Sequence, residues 1–294
     1  MNFLSGFIGI IGPPNVGKST LLNHILGTKL AIVSPKPQTT RNRIIGVVHE
    51  QGCQMVFMDT PGIHRTKTPL HKSMVSSAFA AFREVDMVLL MIEMGRPDDP
   101  EIVSIVKDLR RIKKPCILAV NKIDKGPKDR LLPIIDRFRE VYPFEAIIPV
   151  SALKGYGVDM LLDNLRARLM PGPPFFPKDM KTDQTEAHLA SEIIREKIYK
   201  HTTRELPYSS AVTVDEIKEI PGRELMSIRA RIHVETDSQK KILIGRQGRM
   251  IKAIGRSARL ELEDLFGLRV YLDLVVRVEK NWSKDAQALR RLGY

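Results

Sequence analysis

The stretch "GPPNVGKST", residues 12–20, decides the fold, because an apolar run precedes it and a leucine-rich run follows it. "FIGII" predicts a strand and "LLNHIL" predicts a helix, which is the setting that a phosphate loop requires. The glycines let backbone N–H groups wrap phosphate, Lys18 supplies positive charge, and the Ser19 hydroxyl can hold Mg²⁺. The candidate nucleotide contacts in this loop are Gly12, Pro13, Pro14, Asn15, Val16, Gly17, Lys18, Ser19 and Thr20.

Three further segments indicate which nucleotide is bound. They are "DTPG" (59–62), "NKID" (121–124) and "VSA" (150–152), and each ends a predicted strand, where open α/β sheets bind ligands. Asp59 can hold Mg²⁺ through water, and the Gly62 N–H can meet a γ-phosphate. Asp124 can accept both protons that guanine offers, and the Ala152 N–H can donate to the guanine oxygen. The segments therefore predict GTP binding, with further contacts from Asp59, Thr60, Pro61, Gly62, Asn121, Lys122, Asp124, Ser151 and Ala152.

The segment "SPKPQTTRNR" (34–43) lacks strong periodicity and is a candidate switch that GTP would order. Thr40 is favoured over Thr39 as the residue that contacts Mg²⁺ and the γ-phosphate, so the expected metal ligands are Ser19, Thr40 and Asp59. Ile63 stands where many small GTPases place a glutamine that orients water, so hydrolysis should be slow or need another device. Asn15 can help to hold K⁺ beside the phosphates, or can be a plain turn residue. The predicted catalytic residues are Lys18, Thr40, Asn15 and Gly62.

The pattern of apolar runs changes once along the chain. Strand-like and helical runs alternate up to residue 170, with "RIIGVV" and "CQMVFM" close enough to form an antiparallel hairpin. "PGPPFFP" then predicts a linker, since proline disfavours helix and removes hydrogen-bond donors. Beyond it the order is helix, two strands, helix, helix, strand, with Asp183 and Glu186 as a possible capping pair. We expect an α/β domain over 1–170, a linker over 171–184 and an α+β domain over 185–294.

Composition limits the partners and the compartment. The 294 residues carry a net charge of +13, which favours a polyanionic partner, either nucleic acid or an anionic membrane surface. Cys53 and Cys116 lie in apolar runs without metal-ligand spacing, which indicates reduced core thiols in a cytosolic protein. Apolar runs such as "MVLLMI" are too short to span a bilayer.

The nucleotide motifs, together with four other stretches, resemble the Era family of bacterial GTPases. Those stretches are "KPQTTRNR" (36–43), "VETDSQKKILIGRQG" (234–248), "LFGLRVYLDL" (265–274) and "LRRLGY" (289–294), so the resemblance runs nearly end to end. It implies a Ras-like P-loop G domain, with three layers and a mostly parallel sheet, followed by a type II KH domain. It also implies a hydrophobic residue at position 63, binding near the 3′ end of 16S ribosomal RNA, maturation of the small (30S) ribosomal subunit, and association with the inner membrane.

The resemblance gives a role to a second glycine turn, "GRQG" (245–248). It lies in a stretch, 238–260, with seven Lys or Arg residues and no Asp or Glu. KH domains clamp an RNA backbone with a GXXG turn, and the helix that follows favours anions at its N-terminus. Met250 and Ile251 can join Ile244 in an apolar groove for bases. The candidate RNA-binding residues are Ile244, Gly245, Arg246, Gln247, Gly248, Arg249 and Lys252.

Three functions are consistent with these residues. The leading one is a cytoplasmic, monomeric GTPase that times the release of an RNA-bound assembly factor and touches the membrane only peripherally. An RNA-binding platform with nucleotide as a structural ligand is an alternative, which the predicted Mg²⁺ ligands and switch threonine argue against. A related GTPase that acts on another RNA or at a membrane is the third.

Overall fold

The computed structural model describes residues 3–34, 36, 41, 43–59 and 84–294. These residues form two compact units. The first unit contains the described residues up to Ala31, then 41, 43–59 and 84–183. The second unit contains 32–34, 36 and 184–294.

The first unit is built on one sheet. Its strands are β1 (Leu4–Ile11), β2 (Ile44–Glu50), β3 (Cys53–Asp59), β4 (Met87–Glu93), β5 (Cys116–Asn121), β6 (Ala146–Pro149) and the short β7 (Met170–Pro171). They lie in the order β2-β3-β1-β4-β5-β6, and β7 pairs with β1. The five strands from β3 to β6 in this order are parallel, whereas β2 and β3 form the predicted antiparallel hairpin. The parallel strands β3, β4 and β5 are almost wholly buried, because helices cover both faces of such a sheet.

The described helices of this unit are α1 (Lys18–Leu26), α2 (Pro100–Ile112), α3 (Leu131–Val141) and α4 (Val158–Arg166). Helix α2 begins with a proline and is capped by Asp99, whose carboxylate accepts from the Glu101 N–H at 3.1 Å. Its buried side, Ile102, Ile105 and Leu109, packs on the sheet. Cys53 and Cys116 are both free and buried, and burial raises the pKa of the Cys116 thiol to about 12, so this thiol stays protonated and packs as an apolar group.

The second unit has the predicted order of elements. They are α5 (Glu186–His201), β8 (Ala211–Glu219), β9 (Leu225–Val234), α6 (Asp237–Ile244), α7 (Arg249–Phe266) and β10 (Arg269–Val278), followed by a short α8 (Ala286–Arg291). The sheet order is β10-β9-β8, with β9 parallel to β10 and antiparallel to β8. The alternating residues of β9 from Met226 to Val234 are buried, as their period of two predicts. Helices α5 and α7 pack over that buried side.

The predicted cap of α5 is wrong. The cap is Thr185, whose hydroxyl accepts from the His188 N–H at 3.2 Å, and the helix begins at Glu186. Asp183 stands two residues too early, because a cap side chain bonds to the N–H groups two or three positions after it. Both residue types are good caps, so the sequence alone did not distinguish them.

The proline-rich segment after β7 is bonded to the first unit. The side chain of Gln54, which is fully buried in β3, accepts from the Phe175 and Phe176 N–H groups at 2.7 and 3.1 Å and donates to the Phe176 carbonyl at 2.8 Å. Further along, the Lys181 carbonyl accepts from the Val47 N–H at 2.8 Å, and the Thr182 hydroxyl donates to the Ile45 carbonyl at 2.7 Å. The sequence predicted a linker over 171–184, and most of that stretch is fixed to β2 and β3.

Residues just before and at the start of the predicted switch segment belong to the second unit. The Val33 N–H donates to the Glu196 carboxylate at 3.5 Å, and the Lys36 ammonium donates to the carbonyls of Tyr199 and Thr202 at the end of α5. A cation is favourable there, because helix C-termini carry unpaired carbonyl groups and a partial negative charge. In the loop between α1 and β2, Ala31 therefore belongs to the first unit, whereas residues 32–34 and 36 belong to the second.

Candidate GTP site and glycine turn

The phosphate loop follows β1 directly, and two of its glycines have no possible replacement. Gly12 has φ of +150°, and a Cβ atom built on it would lie 2.3 Å from the Met91 carbonyl oxygen. Gly17 has φ of +107°, and its Cβ would lie 2.3 Å from Nδ2 of Asn121. The loop is therefore fitted closely between β4 and the last residue of β5, and a side chain at either glycine would clash with them.

Lys18 is the buried cation of the loop. Its side chain is only 7% exposed, and its ammonium donates to the carbonyls of Gly12 and Pro13, both at 3.1 Å. Burial lowers the pKa of Lys18, and the nearby carboxylates of Asp59 and Glu101 partly offset that effect. An anion beside the loop would compensate this desolvated charge, as a nucleotide phosphate does.

Ser19 and Asp59 meet at the edge of the sheet. The Ser19 hydroxyl donates to Oδ2 of Asp59 at 2.7 Å, and both residues are buried. Hydroxyl and carboxylate oxygens are the ligands that Mg²⁺ takes beside nucleotide phosphates, so the pair fits the ion. Among the described residues, there is no cluster of three or more His, Cys, Asp or Glu residues that would suggest a different metal centre.

The turn after β5 holds the candidate base-recognition residues. Asn121 donates to the Val16 carbonyl at 2.7 Å, so it joins this turn to the phosphate loop. Asp124 accepts from the Ser151 hydroxyl at 2.6 Å, which fixes its carboxylate toward the segment that follows β6. The Ala152 N–H was predicted to donate to guanine, but here it donates to Oδ1 of Asn121 at 2.9 Å. In this structure Ala152 therefore holds the turn.

Several predicted site residues lie outside the described part of the chain: Thr39, Thr40, Thr60, Pro61, Gly62 and Ile63. Of the loop residues that are described, Pro13 and Val16 are buried and Pro14 and Thr20 are half-buried. Asn15 is exposed at the tip of the loop with a left-handed backbone, φ of +62°. Asparagine tolerates that conformation, which supports the interpretation of Asn15 as a turn residue without excluding an ion contact.

The glycine turn of the second unit connects α6 to α7. Gly245, Gln247 and Gly248 all have positive φ, at +69°, +53° and +75°, and the Gly248 N–H donates to the Gly245 carbonyl at 3.1 Å. A Cβ on Gly245 would lie 2.9 Å from the Met250 backbone nitrogen, whereas one on Gly248 would find only ordinary contacts at 3.9 Å. Gly245 is needed for space inside the turn, and Gly248 is needed for its backbone conformation and open outer side.

The positive charge around this turn is uncompensated within the described chain. Arg246, Arg249 and Lys252 are exposed and make no ion pair with any described residue. By contrast, Arg231 on β9 pairs with Asp215 at 2.8 Å, and Arg229 lies 3.6 Å from Asp273. The glycine turn and the first turns of α7 therefore carry a cluster of positive charge that is unpaired among the described residues, which fits a polyanion at this place.

Sequence reasoning missed two residues that shape the first unit, Glu93 and Gln54. Glu93 ends β4 and bonds to Lys122, and Gln54 lies inside an apolar strand. Neither belongs to a nucleotide motif. A glutamine in a wholly buried strand was the signal that could have revealed Gln54, since a buried amide needs partners.

The fold and the two sites define a GTP-binding enzyme of the P-loop class that carries a KH domain. The family described as "50S ribosome-binding GTPase" matches residues 7–122, and the KH domain family matches residues 205–283. Two relatives are similar over nearly the whole chain. GTPase Era of Syntrophus aciditrophicus (strain SB) is 52% identical, covering 99% of this chain and 95% of its own. GTPase Era of Geobacter metallireducens (strain ATCC 53774 / DSM 7210 / GS-15) is 49% identical, covering 99% and 98%.

Two solved structures agree with these relatives. One is a variant of Aquifex aeolicus Era bound to GDP and AlF4⁻, and the other is Era with MgGDPNP and nucleotides 1506–1542 of 16S ribosomal RNA. Each has a TM-score of 0.96 and 41% identity, and each comparison covers 99% of both chains. The chain belongs to the GTPase Era family and is a GTP hydrolase. The predicted family, fold class and GTPase activity are confirmed.

Proposed function

We propose that this GTPase binds the 3′ end of 16S ribosomal RNA and uses GTP hydrolysis to time a step in the assembly of the 30S subunit and the maturation of that RNA. The observation that carries the proposal is the glycine turn between α6 and α7. Its outer side is open at Gly248, and Arg246, Arg249 and Lys252 surround it without acidic partners among the described residues. The similar Era that was solved with a 16S ribosomal RNA segment supports this choice of RNA.

Nucleotide binding follows from the first unit. The loop amides and the Lys18 ammonium bind the phosphates; two of the three Lys18 N–H donors bond to loop carbonyls, and the third can reach a phosphate. Ser19 and Asp59 would hold Mg²⁺, which neutralises charge on the β- and γ-phosphates. Asp124, held by Ser151, accepts the two guanine protons. The charge of Lys18 and the loop N–H groups then stabilise the transition state when water attacks the γ-phosphate.

The switch residues complete this mechanism as proposals. Thr40 senses the γ-phosphate and Gly62 contributes its N–H, and both lie outside the described residues. With Ile63 in place of a glutamine, positioning of the attacking water has to come from another group, so hydrolysis is slow without an activator. K⁺ held near Asn15 is one candidate, and the RNA itself is another.

Single-turnover phosphate release tests the proposal. Release should be faster with a 3′-terminal 16S segment than with a scrambled RNA of equal length and charge. Crosslinking in cells, followed by sequencing of the attached RNA, should recover the 3′ end of 16S ribosomal RNA. Recovery of a different RNA, with no acceleration by the 16S segment, would favour a GTPase that acts on another RNA.

The remaining predictions concern place and state. No helix of the described residues is long and apolar enough to cross a membrane. Action in the cytoplasm, peripheral contact with the inner membrane, and a monomeric state stay predictions. Fractionation and light scattering of the full chain would test them. A non-enzymatic platform is excluded, because the family consists of GTP hydrolases.

A further inference from the structure

The turn that follows β5 is bonded at three places. Asn121 is fixed by the phosphate loop and by Ala152, and Asp124 is fixed by Ser151. The third fixed residue is Lys122, whose ammonium lies 2.6 Å from Oε2 of Glu93. Glu93 is outside every nucleotide motif of the sequence.

Lys122 adopts a backbone conformation that needs support. Its φ is +63° and its ψ is +35°, the left-handed region, which is unfavourable for a non-glycine residue. Such strain persists at functional sites when the surroundings fix the residue. The side chain of Lys122 is therefore a natural point at which to hold this turn.

Glu93 is well placed to supply that support. It is the last residue of β4 and pairs in register with Asn121, the last residue of β5. The main chain just after it also contributes, because the Met94 N–H donates to the Asn121 carbonyl at 3.0 Å. Glu93 lies beside the phosphate loop too, where it lines a small cleft with Pro13 and Val16.

The ion pair is partly shielded from water. The side chains of Lys122 and Glu93 are 22% and 23% exposed, so the short charge-assisted bond is screened less than a surface pair. A comparable pair in the same unit, Arg168 with Glu145 at 3.5 Å, is more exposed and touches no part of the nucleotide site. That pair provides a matched control.

We propose that Glu93 is a positioning residue for guanine recognition, which it supports by holding Lys122 and thereby the turn that presents Asn121 and Asp124. The inference rests on the proposed guanine contacts of this turn. It predicts that Glu93 contributes to GDP and GTP binding to the same extent, because the base is common to both nucleotides. Its effect should depend wholly on the Lys122 ammonium.

The experiment is a double-mutant cycle on the full chain with fluorescent GDP and GTP. Glu93→Gln keeps the shape and removes the charge, and it should weaken both nucleotides about five- to tenfold, with a rise in KM that exceeds any fall in kcat. Glu93→Asp should restore part of the affinity. In a Lys122→Met background, Glu93→Gln should change affinity by less than about twofold. Glu145→Gln should leave affinity at the parental value.

The outcomes separate this inference from the proposed site. If Lys122→Met weakens binding but Glu93→Gln does not, or if the two losses add, Glu93 does not act through Lys122. Equal losses of affinity and melting temperature in Glu93→Gln and Glu145→Gln would assign Glu93 a merely structural role. If Lys122→Met and Asp124→Asn both bind GTP like the parent, the proposed guanine turn itself is wrong and the role of Glu93 falls with it.

Discussion

At the scale of single residues, the proposed role of Asp124 in base selection can be tested directly, because the bond from Ser151 fixes its carboxylate. Asp124→Asn keeps an oxygen that can still accept from the Ser151 hydroxyl, so the turn should retain its shape. The variant loses its charge-assisted bonds to guanine, which should cost about 2–4 kcal/mol of GTP affinity. It should gain affinity for xanthosine triphosphate, whose ring places an oxygen where guanine has an amino group. Fluorescence competition measures both, and an unchanged preference for GTP would contradict the assignment.

Asn15 allows a separate test of monovalent ions. It is exposed at the loop tip, so its side chain can reach an ion beside the phosphates without disturbing the core. If it holds K⁺, single-turnover hydrolysis should be faster in potassium than in sodium at equal ionic strength, and Asn15→Gly should remove the difference. Glycine keeps the left-handed backbone of this position, so the loop should still bind GTP. Equal rates in both salts would leave Asn15 as a turn residue only.

His233 makes the stability of the second unit depend on pH. It is buried between the Thr213 hydroxyl, at 3.0 Å, and the Glu279 carboxylate, at 2.9 Å. Burial lowers the pKa of His233, although the Glu279 carboxylate opposes the shift. The unfolded chain therefore takes up a proton more readily, so the stability from neutral His233 is present above about pH 6.5 and is lost as the pH falls through the folded pKa.

Urea unfolding at pH 7 and pH 5, followed by the fluorescence of Trp282, measures this effect. Trp282 is the one tryptophan of the chain and is fully buried in the second unit. His233→Gln should lose less stability between the two pH values than the parent does. An identical loss in both proteins would assign the pH dependence to other groups.

At the scale of elements, the proposed RNA contact at the junction between α6 and α7 can be tested through its charge. Gly248→Asp puts a negative charge where an RNA phosphate is expected, so it should abolish most affinity for single-stranded RNA. Gly248→Asn is the matched control, because asparagine has nearly the same shape, tolerates the left-handed backbone and carries no charge. Asparagine should therefore cost less RNA affinity than aspartate, and GTP binding should be unchanged in both variants.

The salt dependence of the parent adds a second measure of the same element. Three or four neutralised phosphates imply a slope of log affinity against log salt of about −2 to −3. A steeper slope would bring in other basic surfaces, although Arg231 is already paired with Asp215. A folded Gly248→Asp protein with parental affinity and slope would show that the glycine turn does not contact RNA.

The elements that the sequence predicted best are those with strong periodicity. The buried parallel strands and the alternation in β9 follow from residue pattern alone. The nucleotide motifs lie together because parallel strands bring their carboxyl ends to one edge. Glu93 and Gln54 could not be predicted in their roles, since their partners lie far along the chain and depend on strand order. The same limit applies to Ala152. Its N–H was predicted to donate to guanine, but it donates to the side chain of Asn121, which is distant in sequence.

At the scale of the whole molecule, two compact units divide the work, and each carries one place for phosphate. The first binds a small ligand with a buried cation, Lys18, and close-fitting glycines. The second has exposed cations at its glycine turn, where we propose that RNA binds. The net charge of +13 is therefore unevenly distributed: other arginines, such as Arg231, are paired with acidic side chains. Ionic strength should affect RNA binding far more than GTP binding.

The hydrogen bonds of Gln54 to the proline-rich segment should protect that segment from proteases. A protease must form its own backbone hydrogen bonds to an extended substrate, and the carbonyl of Lys181 is already paired with Val47. Trypsin should therefore spare Lys181 in the folded parent, although it would cut a free linker there. Gln54→Leu releases Phe175 and Phe176 and should open the segment to nicking, with two fragments on a denaturing gel. If the variant resists trypsin as well as the parent does, the bonds near Thr182 are sufficient to protect the segment from cleavage.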